Sequence, residues 1–67
     1  MNDHERALEA LPENPTIRQV ADFAQTHEQT VRRWIKTGQL RAFHVGTRAV
    51  RVDRASVAAM FHEIAAP

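Results

Sequence analysis

The segment that ends at Gly38 places the strongest constraint on how this chain can fold. Val31, Trp34 and Ile35 fall at i, i+3 and i+4, which puts three apolar side chains on one face of a helix. The opposite face carries only polar and basic side chains. Glycine then stands where a helix commonly ends. The segment predicts a helix over about residues 28–37 with one buried face and one basic face.

A second short helix is predicted just before it. Thr16 and Gln19 have the spacing of a capping box, so this helix is expected to begin there and to end near Ala24 or one residue later. Val20, Phe23 and Ala24 form its apolar face. Two short helices joined by a tight turn, the second with a basic outer face, are the pattern of a helix-turn-helix.

The segment 40–52 loses the helical period and predicts a β-hairpin. Phe43 and Val45, then Val50 and Val52, alternate with polar residues around a central glycine and threonine. These two central residues are a weaker turn signal than an Asn-Gly pair. The phenylalanine is expected to lie in the core.

A short helix is predicted at each end of the chain. Residues 3–11 form the first, with Asp3 as its N-cap and a proline after it. Asp53 is expected to cap the last, whose apolar residues stand at i, i+3, i+4 and i+7: Val57, Met60, Phe61 and Ile64. The fold class is then mainly α with a small β-hairpin, a winged helix-turn-helix. Residues 1–15 are expected to form an acidic helix and linker, and residues 16–66 the winged helix-turn-helix domain.

The size and composition of the chain exclude several classes of protein. Sixty-seven residues suffice for one small domain, and the absence of cysteine excludes disulfides and thiolate metal sites. No apolar stretch approaches a membrane span, and no signal peptide opens the sequence. A cytoplasmic, nucleoid-associated protein with no membrane partner is expected.

The net charge of +1 conceals an uneven distribution along the sequence. Residues 1–15 hold four acidic residues and one basic residue, a net charge of −3. Residues 16–54 hold eight basic and three acidic residues, a net charge of +5. Arginine supplies eight of the nine basic residues, and its guanidinium suits bidentate contacts with phosphate or guanine. Arginines that only solvate the surface would explain the charge alone equally well.

The ordered set of motifs resembles a known family. The similarity covers roughly residues 16–64, and its most specific part is Trp34-Ile35-Lys36-Thr37-Gly38-Gln39-Leu40, followed by Val45-Gly46 and a basic strand. In this the chain resembles the excisionase-type, MerR-like winged helix-turn-helix proteins. Gln25 and His27 depart from the family, which often has glycine and serine at these positions. The histidine is interpreted as an irregular helix cap.

The resemblance implies that the third helix enters the major groove of double-stranded DNA and that the hairpin, as a wing, reaches the neighbouring backbone or minor groove. It also implies repeated sites, DNA bending and an integrase as partner. Head-to-tail self-association of copies on DNA follows as a hypothesis from one recognition helix and one wing in each chain. The candidate DNA-binding residues are Arg18, Glu28, Gln29, Thr30, Arg32, Arg33, Lys36, Arg41, His44, Thr47, Arg48 and Arg51.

Some of these and other residues have a structural interpretation beside the functional one. Glu28 could accept from cytosine or simply complement the helix dipole. Trp34 could stack on a base, but its register with the apolar face favours the core. Arg54 is expected to pair with the neighbouring aspartate. The four histidines lack the close spacing of metal ligands, so neither a metal nor a cofactor is expected.

Three other functions compete with the excisionase interpretation. An enzyme is disfavoured because no catalytic constellation lies near a glycine-rich loop. A protein-interaction module would not explain the basic residues on the third helix and hairpin. A small MerR-like transcriptional regulator or repressor remains the alternative. Such regulators normally dimerise through a long C-terminal helix, whereas this sequence ends at Pro67 after a short one, which favours excisionase.

Overall fold

The computed structural model describes the backbone of residues 3–61 and the side chains of residues 6–61. In chain order the elements are α1 (Asp3–Ala10), α2 (Ile17–Ala24), α3 (Glu28–Lys36), β1 (Ala42–Val45), β2 (Ala49–Val52) and α4 (Arg54–Met60). The two strands pair antiparallel as one hairpin, the wing. This architecture confirms the predicted fold class, mainly α with a small β-hairpin.

The predicted capping box opens α2. The Gln19 backbone N–H donates to Thr16 Oγ1 at 3.0 Å, and the Thr16 N–H donates to Gln19 Oε1 at 2.8 Å. Two N–H groups that lack helical partners are thereby satisfied by side chains only three residues apart. The start of the helix-turn-helix is fixed by local sequence.

One apolar core joins all parts of the described chain. Its buried members come from α2, α3, α4, β2 and the segments beside them: Leu11, Val20, Ala21, Val31, Leu40, Val52 and Val57. Phe61 packs edge-on against Phe23 and Trp34, with ring centroids 5.5 and 5.6 Å apart. The predicted packing of these three aromatic residues against the core is confirmed.

The segment before α2 lies along the free edge of β2. The Val52 N–H donates to the Pro15 carbonyl at 2.7 Å, and the Arg54 N–H donates to the Glu13 carbonyl at 3.4 Å. Arg54 Nη1 also reaches the Leu11 carbonyl at 3.0 Å. The expected pairing of Arg54 with its neighbour is therefore wrong, because this guanidinium ties the end of α1 to the start of α4.

The last helix is shorter than the periodicity predicts. Asp53 caps α4 as expected, since its Oδ1 accepts from the Ala55 N–H at 3.2 Å. The helix ends at Met60, and Phe61 is extended (φ −102°, ψ 107°), where its ring meets the aromatic cluster. Ile64 and the side chain of Asp3 lie outside the described residues.

The register of the hairpin contradicts the placement of Phe43 in the core. Val45 pairs with Ala49 and Phe43 with Arg51, so these four side chains share one face. The buried Val52 lies on the opposite face. Phe43 is 43% exposed, because the pairing places it on the face opposite the buried Val52.

Candidate nucleic-acid interface

The turn between α2 and α3 is closed by a left-handed residue that is not glycine. Gln25 has φ 54° and ψ 47°. Its N–H donates to the Asp22 carbonyl at 3.2 Å, and the Thr26 N–H donates to the Ala21 carbonyl at 2.9 Å. These two bonds form a Schellman motif, which normally favours glycine because a Cβ is strained at positive φ. The helix therefore ends in a Schellman motif although the left-handed residue is a glutamine.

His27 stands at the N-cap of α3 without capping it through its side chain. Its backbone is extended, and its carbonyl accepts from the Thr30 and Val31 N–H groups at 3.0 and 3.2 Å. The exposed imidazole makes no capping hydrogen bond, so the interpretation of this side chain as a cap is wrong. Glu28 places a negative charge in the first turn, where it complements the dipole.

The end of α3 fixes where the wing begins. Gly38 has φ 84°, its N–H donates to the Ile35 carbonyl at 3.1 Å, and the Gln39 N–H donates to the Trp34 carbonyl at 2.8 Å. This second Schellman motif confirms the predicted glycine cap. Leu40, 1% exposed, then anchors the chain in the core two residues before β1.

The outer face of α3 is a row of polar and basic side chains in solvent. The exposed members are Glu28, Gln29, Arg32, Arg33 and Lys36, which span about 140° of the helix circumference at 100° per residue. Val31 faces the opposite way and is fully buried. Arg32 Nη2 lies 3.7 Å from Glu28 Oε1, and both side chains are about half exposed, so this pair constrains the arginine little. Thr30 is half-buried at the edge of the face.

The tip of the wing is a three-residue loop of Gly46, Thr47 and Arg48, all of them exposed. Gly46 has φ 71°, a conformation that turns the chain after β1 at no steric cost. The hydroxyl and guanidinium at positions 47 and 48 are thus presented at the end of a rigid ladder.

A groove with a cavity volume of about 290 Å³ separates α3 from the wing. Ile17, Arg32 and Ile35 line it from the helices, and Ala42, Phe43, His44 and Val50 from the hairpin. Arg32 and His44 are therefore brought to the two sides of one depression. The helix and the wing therefore form the two walls of one groove on the same side of the protein.

Two of the other candidate residues have side chains that already bond within the protein. Arg41 Nη2 forms an ion pair with Asp53 Oδ2 at 2.8 Å, at the base of the wing. Arg51 is half-buried and its Nη1 donates to the carbonyl of Val50 at 3.1 Å. Arg18 is exposed in the first turn of α2. The guanidinium groups at positions 41 and 51 would have to exchange or share an internal partner to contact a phosphate.

One buried hydroxyl holds the wing to α4, and the sequence analysis did not single it out. Ser56 is 8% exposed, accepts from the Arg41 N–H at 3.1 Å and donates to the Asp53 carbonyl at 2.7 Å. No spacing of residues in the sequence predicts a hydrogen bond between positions 41 and 56. The sequence indicates this contact only by placing a serine among the apolar residues of a short helix.

The electrostatics of this surface follow from its sequence. Residues 28–51 carry six basic side chains and one acidic side chain, a net charge of +5. A positive surface formed by one helix and a neighbouring hairpin has the electrostatic footprint of a nucleic-acid interface.

Two other kinds of site are absent from the described residues. No cluster of three or more histidine, cysteine or acidic residues there could hold a metal ion. Nor is any helix of that part of the chain long and apolar enough to cross a membrane.

Comparison with known proteins gives two agreeing matches. Residues 16–64 match the family model described as a helix-turn-helix domain. The chain is also 43% identical over 54 residues to a protein named excisionase from Mycobacterium phage D29, across 81% of this chain and 96% of that relative.

Proposed function

Because this chain belongs to the excisionase family of helix-turn-helix proteins, we propose that it binds double-stranded DNA through α3 and the wing and acts as a recombination directionality factor. The observation that carries the proposal is the outer face of α3, where Gln29, Arg32, Arg33 and Lys36 are all exposed opposite the buried Val31.

In the proposed complex, α3 lies in the major groove. Its outer face presents hydrogen-bond donors along the helix. Arg32 and Arg33 reach bases or phosphates, and Lys36 reaches a phosphate. Gln29, in the first turn, can bond adenine in a bidentate manner, and Glu28 can accept from cytosine. Thr30 adds a hydroxyl at the edge of this face.

The wing contacts DNA beside the helix. Thr47 and Arg48, at the exposed loop, reach the backbone or a narrow minor groove, where arginine is favoured by the negative potential. His44 faces the same groove as Arg32 and is placed for a phosphate between the two elements. Arg18, Arg41 and Arg51 contact flanking phosphates. The binding unit is residues 16–66, with residues 1–15 as an attached acidic segment.

The cellular role we propose goes beyond single-site binding. Copies bind neighbouring sites cooperatively, bend the DNA and direct an integrase toward excision, so the protein is associated with the nucleoid. The role is binding and architecture and includes no catalytic step.

The first test is selection of duplexes from a random pool spanning about two helical turns (~21 base pairs), followed by titration of the selected duplex at several salt concentrations. If four to six phosphates are neutralised, log K falls against log salt with a slope of about −4 to −5. A flat salt response would refute DNA binding by this surface.

A second test addresses the recombination role. Circular-permutation gels with tandem selected sites are expected to show a bend, and an integrase assay is expected to shift toward excision when the protein is added. Binding of independent copies without a bend would leave a DNA-binding protein but remove the architectural role.

A further inference from the structure

The five residues before Thr16 bind the base of the wing where β2 passes into α4. We call residues 11–15 the N-terminal brace. The Pro15 carbonyl accepts from the Val52 N–H at 2.7 Å. The Arg54 N–H donates to the carbonyl at position 13, and Arg54 Nη1 donates to the carbonyl at position 11, at 3.4 and 3.0 Å. Alternate carbonyls of the brace are thus all bound to the end of the wing and the start of α4.

The position of Arg54 is explained by this contact and not by its own helix. Arg54 is the first residue of α4, where the helix dipole disfavours a positive charge. Its half-buried guanidinium lies instead beside the C-terminal end of α1, and the last turn of α1, residues 7–10, contains no basic side chain. A cation there complements carbonyls that lack helical partners. One charged donor therefore joins two segments that lie 43 positions apart.

Arg54 does not belong to the surface proposed for DNA. It lines a groove between α1 and α4 together with Leu8 and Glu9, whereas other residues line the groove between α3 and the wing. The brace also precedes residue 16, where the match to the helix-turn-helix family model begins. A substitution at position 54 therefore changes the support of the wing without removing a proposed DNA contact.

We propose that Arg54 is a positioning residue for DNA recognition, because its bond to Leu11 keeps the N-terminal brace on β2 and thereby fixes the wing relative to α3. This inference rests on the proposed DNA binding. Groups that contact a ligand have to be held within about 0.5 Å of their productive geometry by the residues behind them. Arg48 at the loop of the wing has this requirement, and the brace is one of its supports.

The wing needs such a support on both strands. A two-stranded hairpin is only marginally stable by itself, so its orientation depends on contacts at its base. The base of β1 is held by the Ser56 hydroxyl, which accepts from the Arg41 N–H. The base of β2 is held by the brace. Without the guanidinium at position 54, the Leu11 carbonyl loses its donor and the wing is expected to move about its remaining attachment at β1.

The first experiment measures how much Arg48 contributes to affinity with and without Arg54. A duplex selected by the original chain is titrated with Arg48→Ala, Arg54→Ala and the double variant. Arg48→Ala is expected to weaken binding about tenfold in the original chain but less than about twofold beside Arg54→Ala, because a displaced wing no longer brings this arginine to DNA. Equal factors in the two backgrounds would refute the proposal.

Arg33 on α3 distinguishes positioning of the wing from general damage to the fold. Arg33→Ala is expected to weaken binding by the same factor with and without Arg54, since α3 is anchored by the buried Val31. If the factors of both arginines shrink beside Arg54→Ala, the whole domain is disturbed and the proposal is overturned. Arg6→Ala, which removes an exposed positive charge of α1, is the matched control and leaves the Arg48 factor unchanged.

The second experiment follows amide exchange and needs no DNA. The Val52 N–H donates to the brace, and the Val31 N–H donates to the His27 carbonyl within the helix-turn-helix. In Arg54→Ala, exchange at Val52 is expected to accelerate about tenfold more than exchange at Val31, because the wing opens locally while α3 stays in place. Equal acceleration at both positions would indicate global destabilisation and contradict the inference.

The two experiments separate this inference from the proposed function. If the original chain binds no duplex, the proposed function fails, and amide exchange still reports whether Arg54 holds the wing. If DNA is bound but exchange at Val52 is the same in Arg54→Ala as in the original chain, the proposed function stands and the positioning role is refuted.

Discussion

The helix α3 and the wing are both basic, but the wing is held in place by more kinds of contact than the helix. The helix is anchored by Val31, which is fully buried in the core, and its outer arginines are mostly free. The wing is anchored by Val52 together with backbone bonds, the Ser56 hydroxyl and an ion pair of Arg41. Both elements are therefore anchored by a fully buried valine, and the wing is held in addition by polar contacts at its base.

The largest expected effect concerns apolar packing. Val31→Ala should lower the free energy of unfolding by about 2–3 kcal/mol, because two buried methyl groups are lost and a cavity remains. The identical change at the wing, Val45→Ala, should cost less than about 0.5 kcal/mol, because that side chain is half exposed. Urea titrations of both variants measure the difference. Equal losses would mean that the side chain of Val45 is packed as closely as that of Val31.

The next effect concerns the cations. Arg33→Ala should weaken DNA binding about 10- to 30-fold, because it removes a free guanidinium from the proposed interface. Arg41→Ala should cost only about threefold, since the ion pair with Asp53 competes with phosphate.

Titration of a selected duplex with both variants and with Arg6→Ala tests this order. Arg6 is an exposed arginine of α1 outside the proposed interface, so its removal should leave affinity nearly unchanged. A larger loss at position 41 than at position 33 would reverse the roles assigned to the helix and the wing.

A smaller effect concerns the polar contacts at the base of the wing. Ser56→Ala should cost about 1 kcal/mol of stability, because the Arg41 N–H loses its acceptor in a part-buried position. Thr37→Ala, which removes an exposed hydroxyl 3.3 Å from the Trp34 carbonyl, should cost less. Amide exchange at position 41 should accelerate only in the first variant, and unchanged exchange would argue against a role of the hydroxyl in fixing the wing.

The smallest effect compares the two left-handed helix ends. Gln25→Gly should stabilise the protein by about 0.5–1 kcal/mol, because glycine relieves the strain of a Cβ at positive φ. Gly38→Ala should destabilise it by a similar amount, although no atom lies near enough to clash. Thermal unfolding of both variants checks the signs. Destabilisation by Gln25→Gly would mean that the glutamine side chain contributes more than its backbone strain costs.

The helix-turn-helix could be predicted from sequence because its signals are local. The capping box at Thr16 and Gln19, the apolar face at Val31 and the cap at Gly38 each depend on residues within one or two turns. The left-handed turn at Gln25 could not be predicted from the residue type, since the hydrogen bonds of its own N–H and of the Thr26 N–H impose it.

The wing could be predicted as a hairpin but not in its register. A two-residue loop at Gly46-Thr47 would pair Phe43 with Val50 and place both on one face. The actual three-residue loop includes Arg48, shifts the pairing by one residue and turns Phe43 outward. The weak turn signal left the loop length undetermined. A loop that is longer by one residue changes which face of the hairpin is buried.

The polar contacts at the base of the wing could not be predicted from the sequence either. Arg54 was expected to pair with an adjacent residue, yet it bonds a carbonyl 43 positions away. Such partners depend on the packing of the whole chain, so no local pattern encodes them. The roles of the individual cations on DNA stay predictions.

The bonds that join the segment before α2 to β2 and α4 also bear on the order of folding. The contacts of α2 with α3 are local in sequence and can form early. The hydrogen bonds that join the segment before α2 to β2 and α4 instead close a long loop, so chain entropy is lost before these bonds contribute any stability. We therefore expect the basic face of α3 to exist before the wing is docked. A nascent or partly unfolded chain would then have its charge in place while still lacking the geometry that selects a site.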